Sequence, residues 1–244
     1  MSADFANLIE PYVFSSAVRE FWETRERQAS AQRQRGQLDR GLRAAVTGGQ
    51  QMNGFAKKIA ELMIKVGVDP GAIYTHRMLT DLPGFFRPSK EWDLIVVSGG
   101  KLLAAVELKA QVGPSFGNNF NNRAEEALGS SMDIWTAYRE RAFQTTPRPF
   151  LGFLFLLEDA PGSRAPVKVR EPHFPVFPEF QGASYAKRYE LFCRKIVLER
   201  QYTAACFLMS AREKAAQREN YTEPAEDLSA TAFLSELLRH VAHR

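Results

Sequence analysis

The sequence predicts an α/β fold, a central mixed sheet flanked by helices, with additional helices at both ends. Three observations carry that expectation. Residues 92–98 and 101–109 are apolar runs joined by Ser98-Gly99-Gly100, and glycines there supply the positive φ of a tight hairpin. Residues 150–157, "FLGFLFLL", are apolar at both parities, as a strand covered on both faces must be. Around these runs lie stretches with helical spacing, in the order helix, three strands, helix, strand, helices, which suits a sheet with helices packed against it.

The chain has 244 residues, 45% hydrophobic and 25% charged, enough for one generous core and one domain. We expect a single domain with a core near 50–158, an N-terminal helical arm over 1–46 and a C-terminal helical region over 184–244. Net charge is +4, from 32 Lys and Arg against 28 Asp and Glu, which leans toward polyanionic partners without naming one. Cys193 and Cys206 lack CxxC or Cys/His spacing, so a zinc site is not expected and a reducing compartment fits. Asp4 and Glu10 stand where a signal peptide needs a basic end and an apolar core, and the eight-residue run at 150–157 is too short to cross a bilayer. The expectation is a soluble cytoplasmic protein with no membrane partner.

Taken in order, residues 15–45 are polar and helix-favouring. Arg27 to Arg43 holds five arginines against one acid, Asp39, and reads either as a phosphate-tracking arm or as a solvated face. Phe55, Ile59, Leu62, Met63 and Val66 recur at helical spacing and predict the next helix. Residues 72–79 are a short strand candidate, and 81–90, punctuated by Pro83-Gly84 and Pro88, read as a loop. After the hairpin come a Gly/Pro/Asn loop at 113–122, a helix at 123–143 and the buried strand at 148–158. Residues 159–183 form a Pro- and Gly-rich excursion, 184–218 read as helix, and a last helix covers 228–242.

The chemistry concentrates in "KEWDLIVVSGGKLLAAVELKAQVG", residues 90–113. Strand alternation puts Glu107 and Lys109 on one face about 7 Å apart, at roughly 3.3 Å of rise per residue, with Leu103 and Ala105 before them. Antiparallel pairing through the glycine turn brings Asp93 toward Glu107. Two carboxylates and an amine converging at a sheet edge offer hard oxygen ligands for Mg²⁺ and a cation to offset developing charge, a set suited to phosphodiester hydrolysis. A hairpin whose charged ends simply reach solvent fits the same residues, and composition and spacing do not separate the two.

The arrangement resembles the PD-(D/E)xK nuclease fold: Asp93 matches the first acid and Glu107-x-Lys109 the second half, while Trp92 stands at the proline position. More narrowly, "FFRPSKEWDLIVV", "AAVELKAQVGPSFGNNFNNRAEEALG" and "SMDIWTAYRE" are similar to the XhoI-type restriction endonucleases. That resemblance implies a bacterial Type II restriction endonuclease, acting as a homodimer with Mg²⁺, that cuts both strands of DNA within the palindrome 5′-CTCGAG-3′ and is paired with a DNA methyltransferase. It also implies that Asp93 and Glu107 bind metal together with the backbone carbonyl of Leu108, and that Lys109 positions the attacking water. Glu61, on the preceding helix, is a further metal candidate; a surface Glu among lysines is the competing reading.

Asn118, Asn119, Asn121, Asn122 and Arg123 follow directly from the catalytic strand. Asn can bond adenine at N6 and N7, and Arg guanine at O6 and N7, so the segment has the chemistry to read bases in the major groove. Turn formation, with Asn122 capping the next helix, is the alternative. Two rival functions stay in view: a structure-specific repair or recombination nuclease of the same fold, and a non-catalytic DNA-binding protein.

Overall fold

A computed structural model describes residues 5–34, 49–76, 78–143 and 147–242. Helix α1 spans Ser15–Gln34 and α2 Asn53–Lys65; strands β1 to β5 are Ile73–Tyr74, Asp81–Pro83, Ser89–Glu91, Leu94–Ser98 and Lys101–Gln111. Then come α3 (Phe116–Arg139), β6 (Phe150–Glu158), α4 (Pro161–Arg164), α5 (Tyr185–Leu198), β7 (Ala204–Ser210) and α6 (Ala230–Val241). Five strands form one mixed sheet in the order β1-β4-β5-β6-β7, and β2 pairs with β3 in a separate small hairpin. β1, β4 and β5 run antiparallel, whereas β5, β6 and β7 are parallel, connected through α3 and α5.

The turn between β4 and β5 is the two-residue type the glycines predict. Ser98 faces Lys101, and Gly99 and Gly100 both have positive φ, 56° and 72°. β6 is buried from Phe150 to Leu157 because helices cover both its faces. Phe150, Leu154 and Leu156 join α1, α2 and α6 on one side, while Leu151, Phe153, Phe155 and Leu157 join α3 and α5 on the other. Gly152 lets α6 approach closely: a Cβ there would meet the Phe233 ring at 3.0 Å.

Several expectations change. The largest is β7, which lies inside the stretch expected to be helical from 184 to 218. Ala204–Ser210 is buried on both faces, so it lacks the alternation that marks a strand, and Ala, Leu and Met are good helix formers. The preceding helix stops where Arg200 takes φ 55°, a left-handed position with no glycine to announce it. The strand expected over 72–79 shrinks to Ile73–Tyr74, and the loop expected at 81–90 contains the β2–β3 hairpin. Helix α3 begins at Phe116, before the asparagines, and ends at Arg139; Ser115 precedes it without a side-chain cap bond.

A bulge in the β4–β5 pair also reassigns one residue. Val96 faces Ala104 but Val97 faces Leu102, leaving Leu103 as the extra residue. Leu103 therefore packs beside Ala104 on the α1/α2/α6 side, whereas Ala105 faces α3 and α5, so the two do not share a face. Among the described residues no helix is long and apolar enough to cross a membrane. The two cysteines are free and buried. Arg35, Arg40 and Arg43 of the arginine-rich stretch lie outside the described residues.

Candidate active site

Leu94 pairs with Val106, so one step further Asp93 and Glu107 face each other where β4 begins and β5 nears its end. The Asp93 N–H donates to the Val106 carbonyl at 3.2 Å, and Asp93 Oδ2 accepts the Leu108 N–H at 2.7 Å. Glu107 is only 2% exposed, and both its oxygens are engaged. Oε1 contacts Lys109 Nζ, and Oε2 accepts from Lys90 Nζ at 2.5 Å. Lys90 comes from β3; its ammonium also donates to the Glu91 carbonyl at 3.0 Å and lies 4.3 Å from the centre of the Trp92 ring.

Burial and the neighbouring Glu107 charge raise the Asp93 carboxyl to about 6, against the pull of Lys109 and the Leu108 amide. Burial would also raise Glu107, but Lys109 and Lys90 outweigh it and hold that carboxyl below its ordinary value. Burial disfavours the charged form of Lys109, yet Glu107 and Asp93 together hold its pKa above the usual lysine value. The site thus keeps Glu107 ionised and Lys109 charged, while Asp93 is the group that resists charge.

Beside Asp93 lies a small polar cavity of about 30 Å³, lined among others by Asn53, Ala56, Thr80 and Leu108. A strand residue's N–H and C=O point to the same edge, so the Leu108 carbonyl faces the side on which its amide meets Asp93. Among the described residues no group of three or more His, Cys, Asp or Glu side chains gathers. The donors here are two carboxylates and a main-chain carbonyl, all hard oxygens. Mg²⁺ binds through one or two carboxylates and completes its shell with water and phosphate oxygens, so the donor chemistry fits that ion.

Glu61 is not gathered with them. It bonds Lys58 at 2.8 Å on a partly exposed face of α2, surrounded by Lys57 and Lys65, and that helix turns Asn53 and Ala56 to the cavity instead. Helical spacing explains its position: Glu61 lies five residues beyond Ala56, about 140° around and 7.5 Å along the helix.

A family model described as restriction endonuclease XhoI matches residues 31–223, a span that holds the whole cluster. The chain belongs to the XhoI restriction endonuclease family. It is 59% identical over 209 residues to the Type II restriction enzyme BstVI of Geobacillus stearothermophilus, covering 84% of this chain and 92% of that protein. It is 48% identical over 183 residues to the Type II restriction enzyme XhoI of Xanthomonas vasicola (75% and 73% covered). Against the Type II restriction enzyme AbrI of Azospirillum brasilense the identity is 47% over 158 residues (65% and 71%). No solved structure matches. As a member of the XhoI family the chain is a site-specific deoxyribonuclease of a restriction system, and DNA is its substrate.

In this XhoI-family fold the asparagine segment is the first two turns of α3, not a loop, so Asn122 is inside the helix and caps nothing. Asn118, Asn121 and Asn122 are exposed on adjoining turns, while Asn119 and Arg123 are half-buried. Arg123 bonds Glu126 at 2.5 Å, and its charge bears on Lys109, which places the start of α3 beside the Asp93, Glu107 and Lys109 cluster.

Two residues of the site escaped the sequence reading. Lys90 sits in a three-residue strand, too short for any periodicity to register. Asp133 on α3 is buried and clasps the tip of the β2–β3 hairpin. Its Oδ1 accepts the Phe85 and Phe86 amides at 2.7 and 2.9 Å, and Arg87 Nε donates to Oδ2 at 2.6 Å. The only trace of that clasp in the sequence is an Asp where a helix turns toward the core.

Proposed function

We propose that this restriction enzyme cleaves both strands of DNA within 5′-CTCGAG-3′ as a Mg²⁺-dependent homodimer, and that its sheet is a PD-(D/E)xK nuclease core. The apposition of Asp93 and Glu107 across the β4–β5 pair, with Lys109 on Glu107, carries this reading. Family membership supports the target site, since the recognition segment and the catalytic strand both lie in the matched span.

Asp93, Glu107 and the Leu108 carbonyl would hold the ion. When bound, Mg²⁺ polarises the phosphoryl oxygen and makes a bound water more acidic. Lys109 orients the attacking water through its ammonium group and offsets negative charge as the water oxygen bonds phosphorus and the leaving oxygen departs. Glu107, kept ionised by its lysines, fixes where that ammonium sits. Asn118, Asn119, Asn121, Asn122 and Arg123 supply base and phosphate contacts at the start of α3. A palindrome suits two identical subunits, each cutting one strand, because protein and site then share a two-fold axis. A methyltransferase protecting the same site completes the system.

Digestion of a mapped plasmid tests this. Discrete fragments whose ends fall within CTCGAG are expected in Mg²⁺ and none in chelator, with a plasmid altered by one base pair left intact. Cutting at another sequence, or nicking that follows DNA structure, overturns it.

A further inference from the structure

With an ammonium group on each oxygen of Glu107, a cation approaching that carboxylate competes with both and gains a free oxygen only if one of them leaves. The fold indicates which. Lys109 belongs to an eleven-residue strand in the interior of the sheet, paired on both sides. Lys90 stands on a three-residue strand outside that sheet, which among the described residues pairs only with β2. Its ammonium also has two other partners within reach, the Glu91 carbonyl at 3.0 Å and the Trp92 ring at 4.3 Å, so leaving Glu107 would not strand it.

We propose that Lys90 is the internal counter-cation of the metal-free enzyme, holding Glu107 Oε2 until a divalent ion arrives and then giving up that oxygen while keeping the Glu91 carbonyl and the Trp92 face. The inference rests on the reading of Glu107 as a metal ligand. Charge explains the need. A buried carboxylate without a partner is costly, and Asp93 with Glu107 would otherwise set two carboxylates against the single ammonium of Lys109. Lys90 makes the balance even. A divalent ion added to that balance creates surplus positive charge, and the repulsion falls on the lysine that can move. Asp133, gripping the hairpin tip at Phe85, Phe86 and Arg87, anchors the strand that carries Lys90 while its ammonium gives up Glu107. Lys90 is a positioning residue acting through Glu107.

The test is a Mn²⁺ titration of the full-length, DNA-free protein, read by thermal unfolding. The variants are Lys90→Gln, Lys90→Met as a second uncharged replacement, and Lys90→Arg. The uncharged variants should melt lower than wild type in chelator and gain their Mn²⁺-dependent rise at a concentration about tenfold lower, as expected on removing one partly screened competing charge. Lys90→Arg should keep the wild-type midpoint. An unmoved or higher midpoint in both uncharged variants overturns the role of Lys90 while leaving the metal site standing, provided that wild type responds to Mn²⁺ and Asp93→Asn does not. If wild type and Asp93→Asn behave alike, the metal-ligand reading fails, and this proposal with it.

Discussion

Asp93 carries a charge that the metal-free fold resists. Its folded value near 6 lies above the ordinary 3.8, so the native state binds this proton more tightly than the unfolded chain does. Stability from this group is therefore greatest below the unfolded value and falls as pH rises through about 6. A shift of that size corresponds to at most about 3 kcal/mol, at roughly 1.4 kcal/mol per unit. Asp93→Asn keeps an acceptor for the Leu108 amide and removes the charge. In chelator at pH 8 it should melt above wild type, with the gap closing near pH 4, in a Tm series against pH; a variant that melts lower at pH 8 contradicts the account. Lys109→Ala should lose cleavage by about 10²-fold or more while still retarding a CTCGAG duplex in gel shifts, since it removes charge stabilisation and no base contact. Full activity in that variant removes Lys109 from the mechanism. Asp93, Glu107 and Lys109 were legible because alternation and a glycine turn dictate who faces whom. Lys90 was not, because its position depends on a hairpin fixed by Asp133, 43 positions away in the chain (133 less 90).

At the scale of elements, the change that matters most is the start of α3. As a loop, the asparagines would act singly; as a helix they form faces, with Asn118, Asn121 and Asn122 together and Asn119 next to Arg123. Replacing Asn122 or Arg123 with Ala should cost about 1–3 kcal/mol at one base pair if the residue reads a base. Binding measured across single-base variants of the site decides it, because an equal loss on all of them marks a phosphate contact. The hairpin and β6 were readable from turn chemistry and continuous burial. β7 was hidden for the reason β6 was found: a strand covered on both faces has no alternation, and only β-branched or aromatic residues then distinguish it from helix. β6 has three phenylalanines; β7 has one, Phe207.

For the whole molecule, the N-terminal helix is part of the core. Phe14, Val18, Phe21 and Trp22 are buried with α2 and α6 on the sheet. Trp22 Nε1 donates to Ser210 Oγ at 2.9 Å, Ser210 Oγ donates to the Asn220 carbonyl at 2.6 Å, and Asn220 Nδ2 donates to the Ser15 carbonyl at 2.9 Å. That circuit ties α1 to the end of β7 across some 190 residues of sequence, a distance no local pattern encodes (210 less 22 is 188). A chain beginning at Gly49 should therefore lose its cooperative thermal transition, since several large aromatic side chains would leave the core at about 3–5 kcal/mol for each one lost. A sharp transition in the shortened chain would make α1 an accessory.

The bulge at Leu103 gives β5 a single point at which its length can vary without changing its phase. Leu102 and Ala105 face one side and Ala104 the other, so the pairing on either side of Leu103 is already that of an uninterrupted strand. Deleting Leu103 removes a buried side chain but leaves Glu107 opposite Asp93. Once Leu103 is gone no spare residue is left, so deleting Ala105 as well slips everything beyond it by one position and carries Glu107 and Lys109 to the opposite face, beneath α2. The single deletion should yield a weakened enzyme and the double deletion a protein with its chemistry turned inward.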